Sequence, residues 1–252
     1  MLRNSFIFLT HVGEKTEKNI WAQGIRTWED FLKQEHIKGI SAEKKAGYDT
    51  ALKKAITAYA NRDIDHFNYV LPKRQMWRLY PEFGKDAAFL DIETTGLQIY
   101  STVTVVGICR LGKMTSLIQG RDLNKASIKK TLEGASMVCT FNGTMFDLPF
   151  LEHHYPGCIP KIPHIDLRFV GRQAGFKGGL KSIERQLGIS RPEDIVGLDG
   201  YEAVRLWKRW TRNNDEDALD RLVRYNVEDV ENLQTLADIV VERLTDSLLG
   251  SP

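Results

Sequence analysis

Asp91 and Glu93 stand two residues apart in FLDIET. Successive side chains of a strand point to opposite faces, so a strand here puts both carboxylates on the same side. Two neighbouring anions on an otherwise apolar strand repel unless a cation or donor groups compensate them. A surface strand with its acids outward is the ordinary alternative, but Ala87, Ala88, Phe89, Leu90 and Ile92 read as a strand covered on both faces. Asp229 poses the same problem on a helix. At helical spacing Leu222, Tyr225, Asn226, Leu233, Leu236 and Val240 form one buried stripe, with Asp229 in its middle. An unpaired carboxylate there costs on the order of several kcal/mol, so it must be neutralised, paired with an arginine or bound to metal. A fourth acid, Asp147, ends FNGTMFD. Pro149 suits the first turn of a helix, which places Asp147 at or beside the helix N-terminus just past a strand end. Simple helix capping is the plain alternative for it. Gathered together, four hard oxygen donors are what Mg²⁺ or Mn²⁺ prefers, and two such ions would clamp an in-line phosphoryl displacement.

Those acids converge only if the chain folds as an α/β sheet. Residues 1–85 read as helical, with segments near 16–23, 27–34 and 41–61, and Thr27 and Ser41 as N-caps. From Ala87 the period changes. AAFLDIE, TVTVVGIC and MTSLIQG are three successive strands joined by short turns; a helix at 123–134, the strand MVCTFN, a helix after Asp147 and the strand HIDL follow. The expected architecture is a mixed five-stranded sheet, antiparallel at its start, flanked by helices and preceded by a small all-α domain. From Leu180 onward the chain reads as helical, ending in a long segment from about 215 to 248.

Length and composition fit this plan. The chain has 252 residues, 42% hydrophobic and 27% charged, an ordinary globular balance that excludes disordered, collagenous and disulfide-scaffold classes. Its net charge is only +2, but residues 1–85 carry 15 basic against 10 acidic side chains and the remainder 20 against 23. The front therefore suits an acidic partner, while the back holds surplus carboxylates. Cys109, Cys139 and Cys158 form no CxxC pair and read as reduced residues of an intracellular, cytoplasmic protein. The longest uncharged stretch, Thr94 to Cys109, is 16 residues and glycine-interrupted, so neither secretion nor a membrane span is expected.

DIETTGL at 91–97, FNGTMFD at 141–147 and YNVED at 225–229 resemble, in order, the three exonuclease motifs of the DEDD (DnaQ-like) 3′-5′ exonucleases, whose fold is ribonuclease-H-like. Tyr225, four before the last aspartate, resembles the DEDDy branch; the other branch has histidine five before it, where this chain has Arg224. GLKSIERQLGI, GLDGYEAVRLW and HIDL are similar to the YprB-type domain, and the resemblance covers roughly residues 86–245. It implies that Asp91, Glu93 and Asp229 hold one metal ion, and that Asp91 holds a second with Asp147, directly or through water. Tyr225 would orient the attacking water, its ordinary pKa of about 10 arguing against a phenolate base. Thr94, Leu97, Asn142 and Phe146 would hold the terminal nucleotide.

The segment from His11 to Trp28 resembles a single helix-hairpin-helix, with His11 where that module usually has its first glycine; Lys15 and Lys18 would meet nucleic-acid backbone. A small helical packing domain is the alternative. Lys181 lies in a basic stretch and is a candidate phosphate contact, while Arg205, Lys208, Arg209 and Arg212 alternate with Trp207 and Trp210, a pattern of single-strand binding or of a buried helix face. Asp166 in HIDL is buried by pattern and reads as a strand-end hydrogen-bond acceptor, with support of the metal site as the alternative. His153, His154, Cys158 and His164 match no familiar zinc spacing.

The expectation is a helical nucleic-acid-binding domain at 1–85 and a ribonuclease-H-like DEDDy domain at 86–252. Together they would act as a 3′-5′ exonuclease with two Mg²⁺ or Mn²⁺ ions. Its substrate would be single-stranded DNA, with RNA open, since nothing in the chain identifies a reader of the 2′-hydroxyl. A structure-selective endonuclease and a catalytically silent binding module are the rivals. Protein partners are not legible.

Overall fold

The computed structural model describes residues 1–193 and 195–250. Residues 1–85, together with Leu249 and Gly250, form one compact unit and 86–248 another; the expected domain end at 252 lies outside the described residues.

The first unit is all-helical, with α1 (Glu14–Trp21), α2 (Trp28–Lys33), α3 (Ala42–Ala60), α4 (Ile64–Val70), a 3₁₀ segment (Lys73–Leu79) and α5 (Tyr80–Phe83). Thr27 and Asp30 form a reciprocal capping box, and the Ser41 hydroxyl accepts from the Lys44 amide. The first helix starts at Glu14, earlier than its apolar period suggests, because Gly13 caps it in an extended conformation. The turn before it forms without glycine, since His11 takes φ 63° itself. Trp28, Phe31 and Phe67 centre the apolar core. Through that core runs an ion pair: Arg78 donates Nη1 and Nη2 to Glu17 Oε1 and Oε2, both at 2.9 Å, with both side chains 1% exposed. The Phe6 and Ile7 amides and the Ser5 hydroxyl also donate to Glu17, while Gln75 accepts from Arg78 Nε, so most of the polar atoms are satisfied.

The second unit holds β1 (Ala88–Thr94), β2 (Val103–Arg110), β3 (Lys113–Ile118), α6 (Lys125–Leu132), β4 (Val138–Thr140), α7 (Asp147–His154), β5 (His164–Asp166), α8 (Leu167–Gln173), α9 (Leu180–Leu187), α10 (Gly200–Asn213) and α11 (Glu216–Leu249). The sheet order is β3-β2-β1-β4-β5, antiparallel across the first three strands and parallel from β1 through β4 to β5. It is the mixed five-stranded sheet flanked by helices that the pattern predicts. Leu90, Ile92, Val106 and Ile108 pack with Ile128, Leu132, Phe150 and Leu151 of α6 and α7. Val105, on the other face, packs with Leu206, Leu219, Leu222 and Tyr225 of α10 and α11. Register pairs Glu93 with Val105 and Asp91 with Gly107, so both acids share that second face. The three cysteines are free and buried. Among the described residues no helix is long and apolar enough to cross a membrane.

Candidate active site

The site is built on the C-terminal half of β1. Asp91, Glu93 and Asp229 present carboxylate oxygens that all lie within 4.8 Å of one another, the one such group of potential metal ligands among the described residues. Asp229 comes from the buried stripe of α11, with Asn226 one turn earlier. The Asn226 amide donates to Asp91 Oδ2 at 2.9 Å and to the Asp91 carbonyl at 3.3 Å, clamping side chain and backbone together. This approach depends on Gly107: a Cβ there would stand 2.1 Å from Asn226 Oδ1 and 2.9 Å from a Val230 methyl.

Asp147 arrives from the other side. β4 pairs with β1 only at Ala88–Val138 and Phe89–Cys139, leaving the last residues of β1 unpaired along that edge. Such a gap at the strand ends is where an α/β sheet opens a crevice. The chain leaves β4 through Asn142 at φ 66° and Gly143, where a Cβ would meet the Thr140 hydroxyl at 2.2 Å. Asp166 accepts from the Asn142 and Thr144 amides at 2.8 and 3.0 Å, so it holds this turn, as a strand-end acceptor does. α7 then begins at Asp147, whose Oδ1 accepts from the free Ile92 amide at 3.1 Å. Asp147 therefore braces β1 between Asp91 and Glu93 rather than merely capping its own helix.

The four carboxylates make an expensive cluster. Burial pushes Asp91 and Glu93 well above the usual range, and each is raised further by Asp147, Asp229 and, for Asp91, Glu93. Asp147 is pushed up to about 7, chiefly by burial. Burial also raises Asp229, against the pull of Arg191 and Lys181. The sequence left Asp229 open between metal ligand and arginine-paired aspartate; here it carries an ion pair, Arg191 Nη2 lying 2.5 Å from its Oδ1, while contributing to the acidic group. All-oxygen donors, crowded and mutually repelled, fit a divalent cation of the Mg²⁺ or Mn²⁺ type.

A stability test follows. Asp147, at about 7 in the fold against 3.8 when unfolded, costs stability progressively as pH rises between those two values and by a constant amount above them, and the other raised acids add to the loss. In chelator, the melting temperature should fall on going from about pH 5 to pH 8 relative to a variant lacking the acids, and Mn²⁺ should raise it more at pH 8. Equal Mn²⁺ shifts at both pH values would detach the cluster from metal binding.

Asp91, Glu93, Asp147, Tyr225 and Asp229 line one cleft of about 710 Å³ together with Thr94, Leu97, Asn142 and Phe146. Leu97 is 83% exposed at its edge. Thr94 Oγ1 donates to the Gly96 carbonyl at 2.6 Å, and Asn142 Oδ1 accepts from Arg168 at 2.6 Å. Tyr225 is buried, its phenol driven up by burial and then by Asp229, Glu93 and Asp91, so it stays protonated. Lys181 does not line the cleft; its ammonium lies 4.7 Å from the Tyr225 ring centroid. Lys15 and Lys18 are exposed on α1 of the other unit. One wall of the cleft is formed by Tyr201, Val204 and Lys208 of α10; the alternation of basic and aromatic residues had singled out Lys208, while Tyr201 and Val204 were missed. Their i, i+3, i+7 spacing opposite the buried Ala203, Leu206 and Trp207 was the available signal.

Residues 88–241 match the family model RNase_H_2, of the RNase_H superfamily. An uncharacterized protein of Methanocaldococcus jannaschii is 28% identical over 171 residues, covering 62% of this chain and 95% of that protein. Among solved structures, the family B DNA polymerase of Pyrobaculum calidifontis aligns with TM-score 0.49 and 17% identity over 62% of this chain; the alignment spans 24% of the polymerase. The family match begins at the first residue of β1, ends within α11 and takes in every acid of the cluster: the chain belongs to the RNase_H superfamily.

Proposed function

We propose that this protein is a metal-dependent 3′-5′ exonuclease of the DEDDy branch and YprB type, acting on single-stranded nucleic acid, DNA in preference to RNA. The observation that carries the reading is the gathering of Asp91, Glu93 and Asp229 within 4.8 Å, with Asp147 bonded to the strand between the first two. Asp91, Glu93 and Asp229 would hold one Mg²⁺ or Mn²⁺, and Asp91 with Asp147 a second. Bound there, the ions supply positive charge to the phosphodiester and Lewis acidity for its hydrolysis.

The protein's own groups do the rest. Tyr225, kept neutral, offers an O–H and a lone pair at the cleft to orient water, not a base. Leu97 and Phe146 give apolar surface for a terminal base, which a duplex would have to fray to reach. Tyr225→Phe should slow turnover about tenfold and leave Mn²⁺ affinity unchanged, as calorimetry would register; lost Mn²⁺ binding contradicts the water-orienting role.

End-labelled single strands with free or blocked 3′ ends test the activity. The expected result is Mn²⁺-dependent mononucleotide release from the free 3′ end, DNA faster than RNA, and none from the blocked strand. Cutting of the blocked strand would make the protein an endonuclease; binding without release would make it a silent module. The 1–85 unit is assigned to gripping the strand through Lys15 and Lys18. Replacing both with alanine should weaken binding of long strands and reduce its log-log salt slope by roughly 1.4, at about 0.7 per single-strand phosphate. An unchanged slope leaves the unit a packing domain.

A further inference from the structure

Arg191 lies in the irregular segment between α9 and α10, yet its side chain is only 7% exposed. Its Nε and Nη2 donate to Glu184 Oε2 and Oε1 at 2.7 and 2.6 Å, and the same Nη2 reaches Asp229. Glu184, 2% exposed on α9, is held in turn by Asn232 of α11, which donates to its Oε1 at 3.1 Å. The guanidinium carbon also stands 5.9 Å from the Tyr225 ring centroid. One nitrogen is thus divided between two carboxylates: Asp229, which belongs to the acidic cluster, and Glu184, which does not.

A cation drawn to Asp229 meets one already in place. We propose, on the basis of the metal reading above, that Arg191 is a resident counter-ion of Asp229 and sets metal affinity by competing with the metal for that carboxylate. Glu184 is the second anchor, sharing the guanidinium so that it does not close fully on Asp229. The coupling is geometric as well as electrostatic, because Arg191 ties the segment leading into the α10 wall to a metal ligand.

The two anchors give the test opposite signs. Mn²⁺ binding to the full chain is measured by calorimetry without nucleic acid, at fixed pH and salt. Glu184→Gln with Arg191→Gln replaces the buried pair by neutral amides of similar size and should tighten Mn²⁺ binding about tenfold, since a positive charge beside the ligand is gone. Glu184→Gln alone leaves the arginine to Asp229 and should weaken binding about tenfold. An arginine that merely supports the fold predicts weaker binding in both. The proposal is overturned if the double variant binds no more tightly than wild type. Should that variant give no cooperative melt, Arg191→Gln alone takes its place: binding tighter than wild type supports the proposal, and binding no tighter overturns it. Wild-type protein that binds no Mn²⁺ removes the metal reading and this inference with it, an outcome distinct from wild type binding normally and the double variant failing to gain.

Discussion

Asp91→Ala should reduce metal-dependent nucleotide release by about a thousandfold or more, because Asp91 is the acid shared by both proposed ion positions and such ions contribute several kcal/mol to phosphoryl displacement. The same substitution should stabilise the metal-free protein. Asp91 is raised by burial and by three neighbouring acids, so its ionised form is a liability near neutral pH. Its removal should raise the melting temperature in chelator at pH 8, where the unfolded acid is ionised. The opposed signs distinguish this residue from a structural anchor. A rate near that of wild type would end the metal assignment, and a lower metal-free melting temperature would mean that the acid braces the fold.

Gly107→Ala should be almost as damaging to activity, from a residue that carries no functional group. The new methyl would lie 2.1 Å from Oδ1 of the fully buried Asn226, so α11 must shift or the Asn226 side chain must leave Asp91. Either displaces a carboxylate by a few tenths of an ångström or more, and such misplacement can cost about a hundredfold in rate. Overpacking of this kind costs about 1–3 kcal/mol in stability. Mn²⁺ affinity should fall along with activity, and Asn226→Ala in the Gly107→Ala background should restore part of the stability without the activity. A Gly107→Ala protein with normal turnover would show that the Asn226 clamp is dispensable.

The acids were legible because regular elements determine where their side chains point. Alternation in FLDIET puts Asp91 and Glu93 on one face, and helical spacing puts Asp229 and Tyr225 on one stripe; both hold. Pro149 placed Asp147 at a helix start, which is where α7 begins, but not its bond to Ile92, which depends on how far β4 follows β1. MVCTFN reads as a full strand; three residues of it are one, because Asn142 turns to positive φ. Gly107 looked like any glycine in an apolar strand, and Asn226 like one more member of a stripe. Their meaning lies in a contact between β2 and a helix more than a hundred residues later. Arg191 was beyond reach altogether, since no period governs the irregular segment that delivers it.

The buried pairing of Glu17 with Arg78 has a practical consequence for anyone shortening this chain. Its partners are 61 residues apart, so the first unit cannot be trimmed from its downstream side without stranding an anion in a dry interior. A fragment stopping at Pro72 would keep four of the five helices and still lose about 3–5 kcal/mol, enough to leave a small helical module molten. Dissection of the protein should therefore cut beyond Phe83.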